Sequence, residues 1–446
     1  MGPLLATLLL VPLTALAQPA DWRVGLAMAD ITPEEPLQMG GYAARNQPFE
    51  SIADRLFAKA LALQDSRGAK ALLITADLLG FTSERSAAIC ERLARTEGIS
   101  RERILLNASH THAAPLVAGS LLARLSGEDR TRIERYIETL DSKIVGAARK
   151  ALAEMRPSNL SWGRGVAKFV MNRREFTPNG VILGTNASGL ADRTVPLLRV
   201  AGADGGLRAV VFGAATHCTT LTGGNLQISG DYAGIAQGEV QQRLPGVQAM
   251  FMTGCAGDAN PYPRGTLALA RQHGRELATV VEEVLEGDLE PVRGPLSTEF
   301  RLVDLPLQRL TRQQIERMSE GARSYRRFFT DGALERLRQG RQLLDSYPAP
   351  FALWQFGQDL TLLAYSGETV VDYVQLAQER LGPLRLWVSG YNNDVYGYLP
   401  TDRILREGGY ETRGLYTDYG LFTPDVQDVV MDAIVEMARK AGRPVH

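Results

Sequence analysis

Apolar runs of strand length alternate with amphipathic runs of helix length through most of this chain. LFAKALALQ (56–64) and ALLITADLL (71–79) are strand-like, SERSAAICERLART has helical spacing, and RILLNAS (103–109) is strand-like again. Further on come a long amphipathic stretch at 128–155, strand-like runs at 195–202, 207–215 and 247–253, and a helical run through 266–286. From 309 to 346 the chain is rich in Arg, Glu and Gln at helical spacing, which predicts a solvated helical pair. ALWQFGQDLTLLAYS reads as a hairpin, ETVVDYVQLAQERLG as a helix and LRLWVSG as a strand. This alternation predicts an α/β fold in which mixed β-sheets are packed by helices. No repeat or linker interrupts residues 18–446, so a single large domain is expected.

The strand-like runs end in polar clusters. SHTH closes RILLNAS, THCTT follows RAVVFGAA, GCAGDANPYP follows VQAMFMT, GE follows TLLAYS, and YNNDVYGY follows LRLWVSG. Ligands of open α/β sheets bind beyond the carboxyl ends of the strands, so five such clusters predict one shared strand-end site.

Charge excludes one class of partner. With 49 Lys+Arg against 50 Asp+Glu there is no basic excess to hold a polyanion, so nucleic acid is not expected. The first twenty residues, MGPLLATLLLVPLTALAQPA, form an apolar run ending in the small-x-small pattern Ala15-Leu16-Ala17. That pattern predicts a signal peptide at 1–17, Gln18 as the mature terminus, and an exported protein, periplasmic or secreted.

Five histidines are present: His110, His112, His217, His273 and His446. The spacing of His110 and His112, in extended backbone after a strand, puts both imidazoles on one face, where they can share a metal or divide ligand and proton-carrier roles. His217 also ends an apolar run and supplies a second ligand. His273 lies in a helical run and reads as structural or exposed, and His446 is the last residue. Catalytic zinc sites take three ligands from His and carboxylate and bring the pKa of water towards ~7, so a carboxylate is needed. Glu368, at a strand-to-helix junction, fits; as a residue type it equally suits a helix N-terminus. The amidohydrolase pattern needs more histidines than remain, and the metallo-β-lactamase HxHxDH pattern is absent. Cys90, Cys218 and Cys255 have no CxxC spacing and predict neither a disulfide framework nor a cysteine metal site. Cys218 and Cys255 flank site motifs and pair only if their backbones approach closely.

Ala29-Asp30-Ile31-Thr32-Pro33, Gly40-Gly41-Tyr42, Ala76-Asp77-Leu78, Ser109-His110-Thr111-His112, Asn172-Arg173, Gly257-Asp258-Ala259-Asn260-Pro261, Gly367-Glu368 and Tyr398 with Tyr410-Glu411 occur in that order. From about Val24 to the early 420s the chain thereby resembles the catalytic domain of the neutral/alkaline non-lysosomal ceramidases. The resemblance implies one Zn2+ per chain, with His110, His217, Glu368 and Tyr398 as ligands. It further implies His112 as the proton carrier, Arg173 near the scissile group, and Tyr410 as the tyrosine twelve residues beyond the ligand tyrosine.

Two features depart from the family pattern. Asn260 replaces the family's active-site serine, and its amide can donate a hydrogen bond to an oxyanion but cannot attack. The sequence also ends after one catalytic domain, where ceramidases continue into an immunoglobulin-like domain. The expected activity is metal-dependent hydrolysis of an N-acyl amide such as ceramide, with Tyr410, Arg173 and Asn260 stabilising the oxyanion. A lipid substrate implies peripheral contact with membrane lipid. The alternatives are a related amidase or esterase for a smaller, polar or sugar-linked substrate, and a non-catalytic metal-binding scaffold.

Overall fold

The computed structural model describes residues 20–45, 47–117, 122, 125–320, 325–416 and 420–445, of which 325–329 by backbone alone. The predicted leader 1–17, its boundary at Gln18, and His446 lie outside the described residues.

Among the described residues the largest sheet has nine strands. Its order is Gln248–Thr253, Leu207–Ala214, Thr194–Gly202, Arg156–Val166, Trp22–Asp30, Phe57–Asp65, Lys70–Ala76 and Ile104–Ala108, with Glu290–Val292 also pairing to Arg156–Val166. The sheet is mixed: Trp22–Asp30 runs antiparallel to Phe57–Asp65, whereas Lys70–Ala76 and Ile104–Ala108 are parallel and joined through the helix Ser83–Glu97. That helix starts where the Thr82 hydroxyl accepts from the Arg85 N–H, and stops at Gly98, which takes the left-handed conformation of a helix end.

A second sheet orders Leu296–Pro306, Ser346–Phe356, Leu360–Ala364 and Leu386–Ser389. Successive side chains of a strand point to opposite faces. Ala352, Trp354 and Phe356 meet Trp22, Leu61, Leu63, Leu73 and Leu105 of the large sheet, while Phe351 and Leu353 face Val374, Val430 and Ile434 on the helices Asp372–Leu381 and Val426–Ala441. The outer face of the large sheet carries Ala58, Ala60, Ala62, Leu72 and Ile74 against Ile89, Leu93, Ile133, Leu140 and Ile144. The layers therefore run helix, sheet, sheet, helix. Strands buried on both faces read as continuous apolar runs, which is why these segments are legible in the sequence. Gly25 is required by the outermost packing, because a Cβ there would lie 1.7 Å from the Ala151 carbonyl oxygen on the helix Gly127–Ala153.

Several boundaries differ from the sequence reading. The strand expected over 71–79 ends at Ala76, since Asp77 turns inward to accept from the Phe57 N–H (2.9 Å) and the Gln237 amide (3.1 Å). The helix expected from Glu368 starts only at Asp372; Glu368–Thr369 instead pair in parallel with Tyr398–Leu399. The hairpin Val170–Thr177 with Gly180–Asn186, which borders the site, has no counterpart in the sequence reading.

Candidate metal centre

The parallel strands of both sheets point their carboxyl ends at one place. His110 follows Ile104–Ala108, His217 follows Leu207–Ala214, and Glu368 follows Leu360–Ala364 of the second sheet, so the centre sits where the two sheets meet. All three side chains are buried. His217 Nε2 lies 2.8 Å from Glu368 Oε2, His110 Nε2 lies 3.4 Å from the same oxygen, and His112 Nε2 lies 3.1 Å from His110 Nε2.

The backbone reaches this geometry differently from the extended His-x-His expected. His110 adopts φ 59°, in the left-handed region that non-glycine residues rarely occupy, and Thr111 pairs with Cys218. Both imidazoles still meet, because the turn at His110 lets its Nδ1 reach the Leu79 carbonyl at 2.6 Å while Nε2 faces the cluster. His217 is held in the same way, with Nδ1 2.7 Å from the Ala256 carbonyl. A metal-ligating histidine is commonly oriented by such an outer hydrogen bond from its other nitrogen. His112 differs: its Nδ1 is buried without a protein partner.

Electrostatics set protonation states suited to a cation. Burial raises the Glu368 pKa, but His110 and His217 outweigh it and hold the carboxyl well below the usual range. Burial, with Arg173 beside it, lowers His217 to about 4, and burial with the neighbouring imidazoles lowers His112 well below its ordinary value. Neutral imidazoles around an ionised carboxylate are the forms that ligate metal. His110, His112 and His217 bring ligand atoms within 4.8 Å of one another, a set that could hold a metal ion. Tetrahedral zinc bonds of about 2.0–2.1 Å imply ligand atoms roughly 3.3 Å apart, the scale of the separations above.

Arg173 faces this cluster. Its Nε donates to Glu411 at 2.9 Å, its Nη2 donates to the Tyr398 hydroxyl at 3.0 Å, and its Nη1 lies 3.1 Å from His217 Nε2. The adjacent Arg174 turns away to Glu411 (2.6 Å), Glu407 (3.0 Å) and the Gly408 carbonyl, so Glu411 ties the two arginines together. Burial opposes the charge of Arg173, but Tyr398 and Glu411 outweigh it and raise its pKa. Tyr398 stacks along His217 and packs edge-on to Tyr410.

Above the cluster opens a cleft of about 370 Å³, whose walls include Tyr42, His112, Arg173, Leu183, Asn260 and Tyr410. The Asn260 carbonyl oxygen accepts from the Thr219 hydroxyl at 3.1 Å. His273 is buried on the helix Leu267–Glu286, stacked on Phe169 with Nε2 2.7 Å from the Pro263 carbonyl; it braces the loop below the cleft. Cys90, Cys218 and Cys255 are free, buried thiols. Tyr391 was not singled out in the sequence, although it opens the YNNDVYGY cluster. Its ring centre is 4.5 Å from that of His110, and its hydroxyl is 3.5 Å from Glu368. Among the described residues no helix is long and apolar enough to cross a membrane.

The sequence profile described as neutral/alkaline non-lysosomal ceramidase, N-terminal, matches residues 22–298. The neutral ceramidase of Pseudomonas aeruginosa is 26% identical over 327 residues, which are 67% of this chain and 48% of that protein. Neutral ceramidase A of Dictyostelium discoideum is 26% identical over 267 residues, 56% of this chain and 37% of that protein. The chain thus spans about half or less of the length of these curated relatives. The crystal structure of the Pseudomonas aeruginosa neutral ceramidase superposes with a TM-score of 0.73 at 22% identity, covering 96% of this chain and 76% of that one, and shares its fold.

Proposed function

The chain belongs to the neutral/alkaline non-lysosomal ceramidase family, and on that premise we propose that it is a zinc-dependent hydrolase of N-acyl amides, splitting ceramide into a sphingoid base and a fatty acid. The observation that carries this reading is the convergence of His110, His217 and Glu368, with both imidazoles fixed through Nδ1 to backbone carbonyls.

In this reading His110, His217 and Glu368 hold one zinc ion, with Tyr398 completing the set. When bound, zinc polarises the scissile carbonyl and lowers the pKa of water. The chain's own residues do the rest. His112, neutral and on the same wall, takes a proton from the attacking water and delivers it to the leaving amine. Arg173, held by Glu411 and hence by Arg174, presents a fixed positive charge to the oxygen that becomes negative, and needs no rearrangement to do so. Tyr410 and the Asn260 amide line the same space and can donate to that oxygen. Met171, Leu183 and Tyr262 give part of the cleft an apolar wall suited to an acyl chain.

Elemental analysis of purified active protein, with ceramide turnover measured alongside, tests the proposal. About one zinc per chain and release of sphingoid base are expected; active protein without a transition metal refutes the metal mechanism. Export through cleavage after Ala17 belongs to the same reading, and N-terminal sequencing of protein recovered outside the cytoplasm should begin at Gln18 rather than Met1.

A further inference from the structure

Beside His112 the cleft wall carries the Arg264 guanidinium, that of Arg45 lies over the Tyr42 ring, and among the described residues no carboxylate pairs with either. Arg264 lines the cleft and donates from Nη2 to the Tyr42 hydroxyl at 3.1 Å, while its Nε is buried without a protein partner. Arg45 lies over the face of the same Tyr42 ring, 5.1 Å from its centre. Its Nη1 donates to the carbonyls of Gly40 and His112, and its Nε and Nη2 are likewise buried without a protein partner. Among the described residues neither arginine has an acidic side chain within ion-pair distance. Asp231, whose field reaches Arg264, spends its oxygens on the backbone N–H groups of Leu221 and Tyr232. Arg173 is the contrast, paired directly to Glu411.

Arginine is the residue suited to two-point recognition of carboxylate and phosphate, and the Arg264 guanidinium faces the cleft with no carboxylate paired to it among the described residues. Tyr42, which joins the two arginines, packs edge-on against His112 with ring centres 4.9 Å apart. A charge bound here lies on the side where His112 would protonate the leaving amine. We propose that Tyr42 and Arg264 form a subsite for an anionic group, carboxylate or phosphate, on the amine portion of the substrate, with the positive charge of Arg45 over Tyr42 adding to its field. The preferred substrate is then an N-acyl amide whose amine part is negatively charged, and a neutral ceramide leaves the subsite unfilled. This inference rests on the hydrolase reading, because the role of His112 decides which end of the substrate lies here.

Affinity separates the two. Three hydrolysis-resistant probes differ only at the group in question: N-dodecylsulfonylserinol (neutral), N-dodecylsulfonylserine (carboxylate) and N-dodecylsulfonylserinol phosphate. Calorimetric titration of the zinc-loaded protein should give at least one anionic probe about a ten- to hundredfold lower Kd than the neutral one, the usual weight of a charged hydrogen bond. Arg264→Gln should abolish that ratio, and Arg264→Lys should restore part of it. Whichever anionic probe binds tighter identifies the chemistry. A ratio below tenfold for both probes in the wild type, or a ratio that survives Arg264→Gln, overturns the subsite. Loss of amide turnover with the ratio intact would count against the hydrolase reading alone.

Discussion

Gly41 lies against the His112 imidazole so closely that a Cβ at position 41 would come within 2.4 Å of Cγ and Nδ1 of the ring. Its φ of 89° is also one that side-chain-bearing residues rarely adopt. The Gly-Gly-Tyr motif therefore serves the site twice, Gly41 admitting the imidazole and Tyr42 packing on its edge. Gly41→Ala should push His112 out of place. Since misplacement by about an ångström can cost roughly a hundredfold, turnover should fall by about that factor while zinc content is kept. Full activity in this variant would show that the ring position of His112 does not matter to the reaction.

The three imidazoles should separate in their effect on metal. His110→Ala and His217→Ala each remove a proposed ligand fixed through Nδ1 to a backbone carbonyl and should abolish zinc and activity together. His112→Gln should retain zinc while turnover drops by roughly two to four orders of magnitude, the usual weight of a proton-transfer group. Elemental analysis beside kinetics decides it, and zinc lost from His112→Gln would make His112 a ligand.

The family resemblance puts Asn260 at the position of a serine, and its side chain faces the cleft with the amide oxygen engaged by Thr219. That contact orients the amide group. Asn260→Ala should cost about 2 to 4 kcal/mol of transition-state stabilisation if the amide meets the oxyanion. Asn260→Ser should alter preference between short and long N-acyl chains more than the chemical step. Kinetics unchanged in Asn260→Ala would reduce Asn260 to a loop brace.

Lys59 offers a pH dependence remote from the cleft. Its ammonium is buried between the sheet and the helix Asp231–Arg243, donating to Gln237, Gln241 and the Ala249 carbonyl. Burial pushes its pKa down from 10.5 to about 8, against a partial offset from Asp77. The unfolded chain therefore binds more protons between these two values. The penalty of the buried charge is absent above about pH 10.5 and grows as pH falls towards 8, reaching on the order of 3 kcal/mol. Lys59→Met should flatten this part of the stability profile. Urea unfolding of both proteins at stepped pH from 7 to 10.5 measures the difference, and parallel profiles would contradict it.

Much of this was legible from residue order alone. A strand buried on both faces is apolar at most positions, so Phe57–Asp65, Ile104–Ala108 and Gln248–Thr253 announce themselves despite Lys59 and Asn107, and the helix Ser83–Glu97 does so by its period. The polar residues that end those strands follow from the same constraint, and with them His110, His112 and His217. What the order of residues left open is what depends on distant segments meeting. As a residue type Glu368 suits a helix start as well as a metal ligand, and only the second sheet brings it within 2.8 Å of His217, 151 positions earlier in the chain. Arg173 and Arg174 are interchangeable as letters, and only the bulge near Asn172 and the bridge of Glu411 send one to the cleft and the other away. The turn at His110 is imposed by the Leu79 carbonyl and the pairing of Thr111 with Cys218. Periodicity is a local property and survives in the sequence, whereas these choices are settled by contacts between strand ends that come together only when both sheets are packed.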